Sequence, residues 1–582
     1  MTIDILFKKI LNGIYMRKKE TMSFEPTFEQ KKIFDFFKKG RGNGMIDAVA
    51  GSGKTSTIIE GIKYINKRER ILFCAFNKKI QEEINKKTST NSNVIVKTTY
   101  ALGLTILKKH FDAINNTSKP DTSKYYNILN DKLLKDNETK KYLYPSKFTR
   151  CFERIKTDYD AKNRENENAN FYKTFFSNYY RLIDLLRFTL SYGKGDSVFK
   201  KLVEKYAIDI DSEDFQLLKL YRDLVEEAIE EGNKRARTLG VIDFADMIFL
   251  PCEFKLRSPV QFDIVFVDEC QDLSNAQLKT ITKYLKNGGR FFAVGDPYQS
   301  IYGFAGASPE SFNNIKKIFK PKMFKLTNCF RCSKEIVDLA KEVREDITTN
   351  NAFKSEIKSI KFHEIVKYVK QEDFVLARHN CDLFELVFEF LKVNIKCKIL
   401  GKKEILKSLK DIIPNSKFDN ELYYENLPIH LDKIYKDSER GLGNNPANYE
   451  KLENLGDSIN ILESCFFNNE TANNLNDLFE YIENLMDGED KDSVLLSSIH
   501  KSKGLEGETV FVIGYDKLPY KKENMLDWQI YQEECLKYVA ITRAKINLYQ
   551  TESPPDNDSV NVKFFGVEEH CDLGNEIDNL PF

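Results

Sequence analysis

The chain is predicted to be an α/β protein built on parallel sheets in two halves, each interrupted by a mainly helical insertion. Three observations lead there. Strand-like Met45-Ile46 runs into a glycine loop ending Gly53-Lys54-Thr55, and helix-like Ser56–Lys67 follows. A Val/Ile/Phe run, Phe262–Val267, ends in the carboxylate pair Asp268-Glu269. Strand and helix patterns then alternate again from about Met323 and resume near Ser493, as parallel sheets require.

The first loop, IDAVAGSGKTST at Ile46–Thr57, has the composition of a phosphate cradle. Gly51 and Gly53 let successive backbone N–H groups turn inward around phosphate oxygens, and the helix N-terminus behind them adds a favourable dipole. Ala50, Gly51, Ser52, Gly53, Lys54, Thr55 and Ser56 are the candidate nucleotide-binding residues. Lys54 reaches the β- and γ-phosphates and the Thr55 hydroxyl ligates Mg²⁺. Ala48 stands where the full pattern has glycine.

The second element, FDIVFVDECQD at Phe262–Asp272, places Asp268 at the end of a rigid strand, where a Mg²⁺-holding carboxylate belongs. Glu269 is then free to polarise the attacking water. Together the two elements predict a nucleoside triphosphatase. A third, FAVGDPYQSIYGFAGA at Phe292–Ala307, sets Gln299 and several rings beyond another strand.

In their order along the chain these motifs resemble a superfamily 1 helicase of the UvrD/Rep type, with spellings nearest the F-box DNA helicase branch. The matches run from Pro26 to Lys545. PTFEQ, ending at Gln30, resembles the adenine-reading motif. ILFCAFNKK at Ile71–Lys79 and KTTYALG at Lys97–Gly103 resemble DNA-contacting motifs, making Phe76, Asn77 and Thr98 candidate contacts. IDFADM at Ile242–Met247 resembles the DFxDM element. LTNCFRC at Leu326–Cys332 resembles the motif whose arginine, here Arg331, senses the γ-phosphate, with Phe330 as the adenine-stacking ring. SSIHKSKGLEGETVFVIG at Ser497–Gly514 offers Ser498 and His500 to DNA and Glu506 to nucleotide. YVAITRAK at Tyr538–Lys545 supplies Arg543 as an arginine finger.

The resemblance implies two RecA-like cores with ATP and Mg²⁺ between them, and Gln299 sensing the γ-phosphate. It implies single-stranded DNA and single/double-strand junctions as track, travel 3′ to 5′, and Tyr302 and Phe304 as rings that stack on bases at about 1–3 kcal/mol each. The alternatives are an RNA-directed motor of the same superfamily and a non-motor ATP-binding subunit. The chain departs from the pattern at Ser56, Ala305 and Phe330, and in Glu533-Glu534-Cys535-Leu536-Lys537, the acidic stretch before YVAITRAK where basic residues are usual.

The organisation expected is a basic amphipathic extension (1–22), a first core (23–97 and 238–321) and its insertion (98–237). A second core (322–401 and 492–552) with a small insertion (402–491) and an acidic tail (553–582) follow. Net charge is only +1 over 582 residues, but Thr551–Phe582 carries eight acids and one lysine, leaving +8 elsewhere to meet phosphate. The tail closes on Leu580-Pro581-Phe582, a candidate docking tip for a protein partner. Eleven cysteines with a single CxxC, Cys329/Cys332, give no metal framework and point to a reducing, intracellular location, cytoplasmic or nuclear. No stretch approaches the roughly 20 apolar residues of a membrane span.

Overall fold

The computed structural model describes residues 24–554 apart from 40, 90, 116–118, 136–140, 144–145, 163–170, 302, 304–309, 414–423, 425, 443–445, 470, 487–492 and 523–524. The amphipathic extension, the tail with Leu580-Pro581-Phe582, and the rings of Tyr302 and Phe304 therefore lie outside the described residues.

Two six-stranded sheets carry the fold. The first contains β1 (Gly44–Ala48), β2 (Ile71–Ala75), β3 (Val94–Thr98), β4 (Phe262–Val267), β5 (Leu285–Gly295) and β6 (Lys322–Leu326), in the order β3-β2-β4-β5-β1-β6. Every pairing is parallel. All five residues of β2, and β4 except Asp263, are buried, because a parallel sheet is covered on both faces and its strands run apolar without alternation. The helix Phe28–Lys39 covers one face through Ile33, Phe34 and Phe37.

The second sheet holds β7 (Ile357–Ile360), β8 (Phe374–Ala377), β9 (Cys397–Ile399), β10 (Val494–Ser498), β11 (Gly507–Ile513) and β12 (Ala544–Thr551), in the order β7-β12-β11-β8-β10-β9. It too is parallel throughout. The expected border at residue 322 needs correction: Lys322–Leu326 pairs with β1, so the first core runs through Leu326. A strand that looked like the start of the second half belongs to the first because hydrogen bonding to β1 decides membership, which periodicity cannot show.

The first insertion is helical and centred on the 25-residue helix Phe215–Leu239. Its core is aromatic, with Phe148, Phe175, Tyr179 and Tyr221 buried together. A buried ionic knot ties it to the first core. Arg187 pairs with Asp243 at 2.8 Å, Asp246 at 3.0 Å and Asp184 at 2.7 Å, and Lys124 also pairs with Asp246. Asp243 and Asp246 form a capping box for the helix Phe244–Glu253, so the DFxDM element is a structural clasp. Among the described residues, the second insertion forms no core separate from that of the second sheet. Leu431, Leu462 and Ile482 pack in one cluster with Val375 and Phe511 of the second sheet and Leu386 of the helix Asn380–Lys392, and Asp457 accepts from Asn380 N at 3.1 Å, capping that helix.

Candidate nucleotide and nucleic-acid site

The first-core site residues and Arg331 follow the carboxyl ends of strands, where the chain leaves a rigid sheet, whereas Glu506 and Arg543 immediately precede β11 and β12. After β1 the loop turns back on itself with Gly51 at φ 67° and Gly53 at φ 75°, both left-handed. At Gly51 a β-carbon would also strike Arg331 Cβ at 2.6 Å and Cys329 Sγ at 2.8 Å, so glycine is required on two grounds. The loop is braced from the second core: Ala50 N donates to Tyr538 Oη at 3.0 Å. Ser52 Oγ donates to Val49 O at 2.7 Å within the turn.

After β4, Asp268 Oδ2 accepts from Thr55 Oγ1 at 2.6 Å, and Oδ1 accepts from Glu269 N at 3.0 Å. Glu269 has φ 50°, a left-handed backbone that costs a non-glycine residue on the order of 1–3 kcal/mol. Gln271 Nε2 holds its carboxylate at 2.8 Å. Burial and then the Glu269 charge push Asp268 up to about 6. Burial also pushes Glu269 upward, but Lys54 and Lys503 outweigh it and leave its pKa lowered. A hydroxyl and a destabilised carboxylate side by side fit the oxygen donors a hard divalent cation takes.

The second core closes the cleft. Arg331 pairs with Glu506 at 2.5 Å and donates from Nη1 to Thr542 O at 3.1 Å, and Lys545 binds Glu506 at 2.9 Å. Arg543, 1% exposed, is aimed by its donation from Nε to Val539 O at 3.1 Å and from Nη1 to Leu505 O at 3.0 Å. Burial and the neighbouring Arg331 push it down to about 9, so it stays charged at neutral pH. Gly51, Lys54, Thr55, Glu269, Gln299, Arg331, Lys503, Glu506 and Arg543 thus line one cleft of about 710 Å³.

The other expected residues lie at the edge of this cleft or away from it. Gln30 is buried beneath the loop, its Nε2 donating to Thr57 Oγ1 at 2.9 Å and its Oε1 accepting from Thr27 N at 3.0 Å. Phe330 is 48% exposed, with its N–H on Gly51 O at 2.9 Å. Phe76 and Asn77, expected on the track, line the nucleotide cleft, and the Asn77 carboxamide caps the helix Lys78–Thr88. Thr98 caps the helix Thr99–His110 at the edge of the first sheet. Ser498 and His500 line a separate cavity of about 190 Å³ with Arg378, His379, Asp457 and Trp528.

Several partners carry no role assigned from the motifs. Lys503 crosses between the cores, donating to Asp272 Oδ2 at 2.6 Å and Gln299 O at 2.5 Å. Asp296 accepts from Gln299 Nε2 at 2.7 Å and from Arg344, which also binds Asp47 at 2.7 Å. Lys503 stood in a quoted motif and was legible there; Arg344 lies in no motif, and nothing in the sequence marks it. Glu533, in the acidic stretch before YVAITRAK, has a partner too: Arg378 after β8 holds it with Nη2 at 2.7 Å and Nε at 3.1 Å.

Family models and curated proteins match this chain in sequence. A family model described as the UvrD/REP helicase N-terminal domain matches residues 27–320, and one described as the UvrD-like helicase C-terminal domain matches residues 415–553. The ATP-dependent DNA helicase Rep of Buchnera aphidicola subsp. Acyrthosiphon pisum is 24% identical across 90% of this chain and 94% of its own length. A probable DNA helicase II homolog of Mycoplasma pneumoniae is 23% identical across 64% of the chain and 67% of its own length. The ATP-dependent DNA helicase PcrA of Staphylococcus aureus (strain Mu50) is 23% identical across 73% of the chain, which spans 57% of that protein.

Proposed function

The chain belongs to the UvrD/REP helicase family, an ATP-dependent DNA helicase in kind, and from that premise we propose that it walks 3′ to 5′ on single-stranded DNA. In this reading it opens single/double-strand junctions or strips bound proteins during replication, repair or recombination inside the cell. Among the described residues no helix is long and apolar enough to cross a membrane.

One observation carries the reading: Lys54 and Glu269 of the first core and Arg331 and Arg543 of the second share a cleft. Lys54 and the loop N–H groups hold the phosphates. Glu269, kept ionised, orients the attacking water. Arg331 and Arg543 stabilise charge on the transferring phosphoryl group, where positioning and electrostatics supply nearly all the catalysis. Thr55 and Asp268 are the residues that would hold Mg²⁺, which when bound neutralises phosphate charge. Residues split across two bodies act together only when the cleft is closed, so hydrolysis follows closure. Lys503, bonded to the Gln299 carbonyl just before the ring-bearing loop, links that closure to the track.

DNA-stimulated ATPase of Lys54→Ala and Glu269→Gln tests the assignment. Both lose turnover by at least about 10²-fold; Glu269→Gln retains ATP, whereas Lys54→Ala binds it weakly. Near-wild-type turnover in either defeats the reading. Unwinding of forks bearing one 3′ or one 5′ tail tests direction, and preference for the 5′ tail reverses it.

A further inference from the structure

Cys329 and Cys332 bracket Arg331 in the turn after β6, and both are fully buried. Cys332 N donates to Cys329 Sγ at 3.4 Å, and the Cys332 thiol also hydrogen-bonds that sulfur. Among the described residues no group of three or more His, Cys, Asp or Glu side chains is placed to hold a metal. The pair is a dithiol in contact.

Its position is what gives it consequence. Cys329 sits against the phosphate loop, at the spot a Gly51 β-carbon would need, while Phe330 N binds Gly51 O at 2.9 Å. Cys332 Sγ points at Thr542 O, 3.8 Å away, the carbonyl that also receives Arg331 Nη1 and immediately precedes Arg543. The two sulfurs therefore lie on the seam between the cores, one against each catalytic element.

We propose that Cys329 and Cys332 form a reversible disulfide, made by exchange with a low-molecular-weight disulfide such as glutathione disulfide, that switches ATP hydrolysis off. The Cys329 thiolate attacks one sulfur of the small disulfide, whose S–S bond breaks and releases a thiolate that takes up a proton. The Cys332 thiol then loses its proton and attacks the Cys329 sulfur of the mixed disulfide, expelling the second small thiolate. Two protein thiols are oxidised and one small disulfide is reduced to two thiols. The hydrogen bond from Cys332 outweighs burial and lowers the Cys329 thiol while the Cys332 thiol is pushed well up, so Cys329 is the nucleophile of the pair. Closing the bond reshapes the turn that carries Phe330 and Arg331, disturbing their contacts with Gly51 and Thr542. Because both sulfurs are covered by the two cores, attack needs an open cleft, and bound nucleotide protects them.

The test incubates the purified full chain with glutathione disulfide, with and without a non-hydrolysable ATP analogue, and maps disulfides by mass spectrometry. Expected are a Cys329–Cys332 bond whose formation slows at least fivefold with the analogue, and a tenfold or greater loss of DNA-stimulated ATPase that dithiothreitol restores. Cys332→Ser, or Cys332→Ala should the serine variant fold poorly, keeps its reduced activity and lacks both the bond and the reversible loss. The proposal falls if the 329–332 peptide stays reduced while other cysteines react, or if the bond forms and ATPase is unchanged. The activity arm rests on the function proposed above, while the mapping arm stands without it.

Discussion

Arg543 shows how much a single side chain depends on its surroundings. It is buried, yet its guanidinium is fixed by two backbone carbonyls and left charged beside Arg331. Arg331 is already paired with Glu506, so of the two arginines Arg543 is the one with no carboxylate bonded to it among the described residues, and a finger arginine contributes roughly 10³–10⁵ in rate. Arg543→Ala should therefore lower kcat for DNA-stimulated hydrolysis by about 10³-fold, with ATP affinity changed little, as single-turnover kinetics and nucleotide titration would reveal. The histidines of the second cavity make a different prediction. Burial and then Arg378 push His379 down to about 4, and burial with Arg378 and His379 pushes His500 down to about 3. An unfolded histidine takes its proton near pH 6.5, so the folded state binds fewer protons below that pH. The stability these neutral rings allow is complete above pH 6.5 and declines as pH falls towards 4, by at most about 1.4 kcal/mol per pH unit for each ring. Thermal unfolding followed from pH 7.5 to 5.5 should show a shallower decline in His500→Gln than in wild type; equal slopes would remove His500 from the account.

Elements here are joined by close approaches that one atom can break. The helix Thr99–His110 crosses the helix Phe244–Glu253 at Gly103, where a β-carbon would overlap the Met247 carbonyl oxygen. That crossing connects β3 to the clasp of Asp243 and Asp246. Gly103→Ala forces the helices apart and should cost about 1–3 kcal/mol, read as a lower denaturation midpoint at unchanged slope. An unaltered midpoint would mean the crossing is slack. The helix Asp527–Ile541 is the counterpart in the second core. Gln532 Oε1 accepts from Gly303 N at 3.2 Å and Tyr531 Oη donates to Pro297 O at 3.0 Å, while Arg543 follows directly after its end. One rigid rod thus touches the ring-bearing loop at one end and the phosphate site at the other.

At the scale of the molecule, the cleft is a joint whose state the chain itself reports. Trp528 is the only tryptophan among 582 residues, and its Nε1 donates to Lys205 O at 2.8 Å, tying the second core to the first insertion. Movement of one core on the other changes the partner and the hydration of that indole. Tryptophan emission should accordingly shift when an ATP analogue and single-stranded DNA are added together. Flat emission would show that this contact persists through closure and that the cores do not part along this seam.

The sequence by itself determined the family and carried the expected chemistry: the phosphate loop with Lys54 and Thr55, the carboxylates Asp268 and Glu269 at a strand end, and, through the resemblance, Arg331 and Arg543 in ordered motifs. These are legible because each role demands a residue type at fixed spacing beside a strand or helix, and such spacing is local. Tertiary structure alone decided that Lys322–Leu326 belongs to the first sheet, and that Gln30 is bonded to Thr57. It also decided that Arg344 joins Asp47 to Asp296, that Arg378 neutralises Glu533, and that Cys329 rests on Gly51. Each of these depends on groups far apart in the chain meeting in a low-dielectric interior, where a charge or an amide must find its partner. Periodicity and spacing carry no record of which distant partner that is.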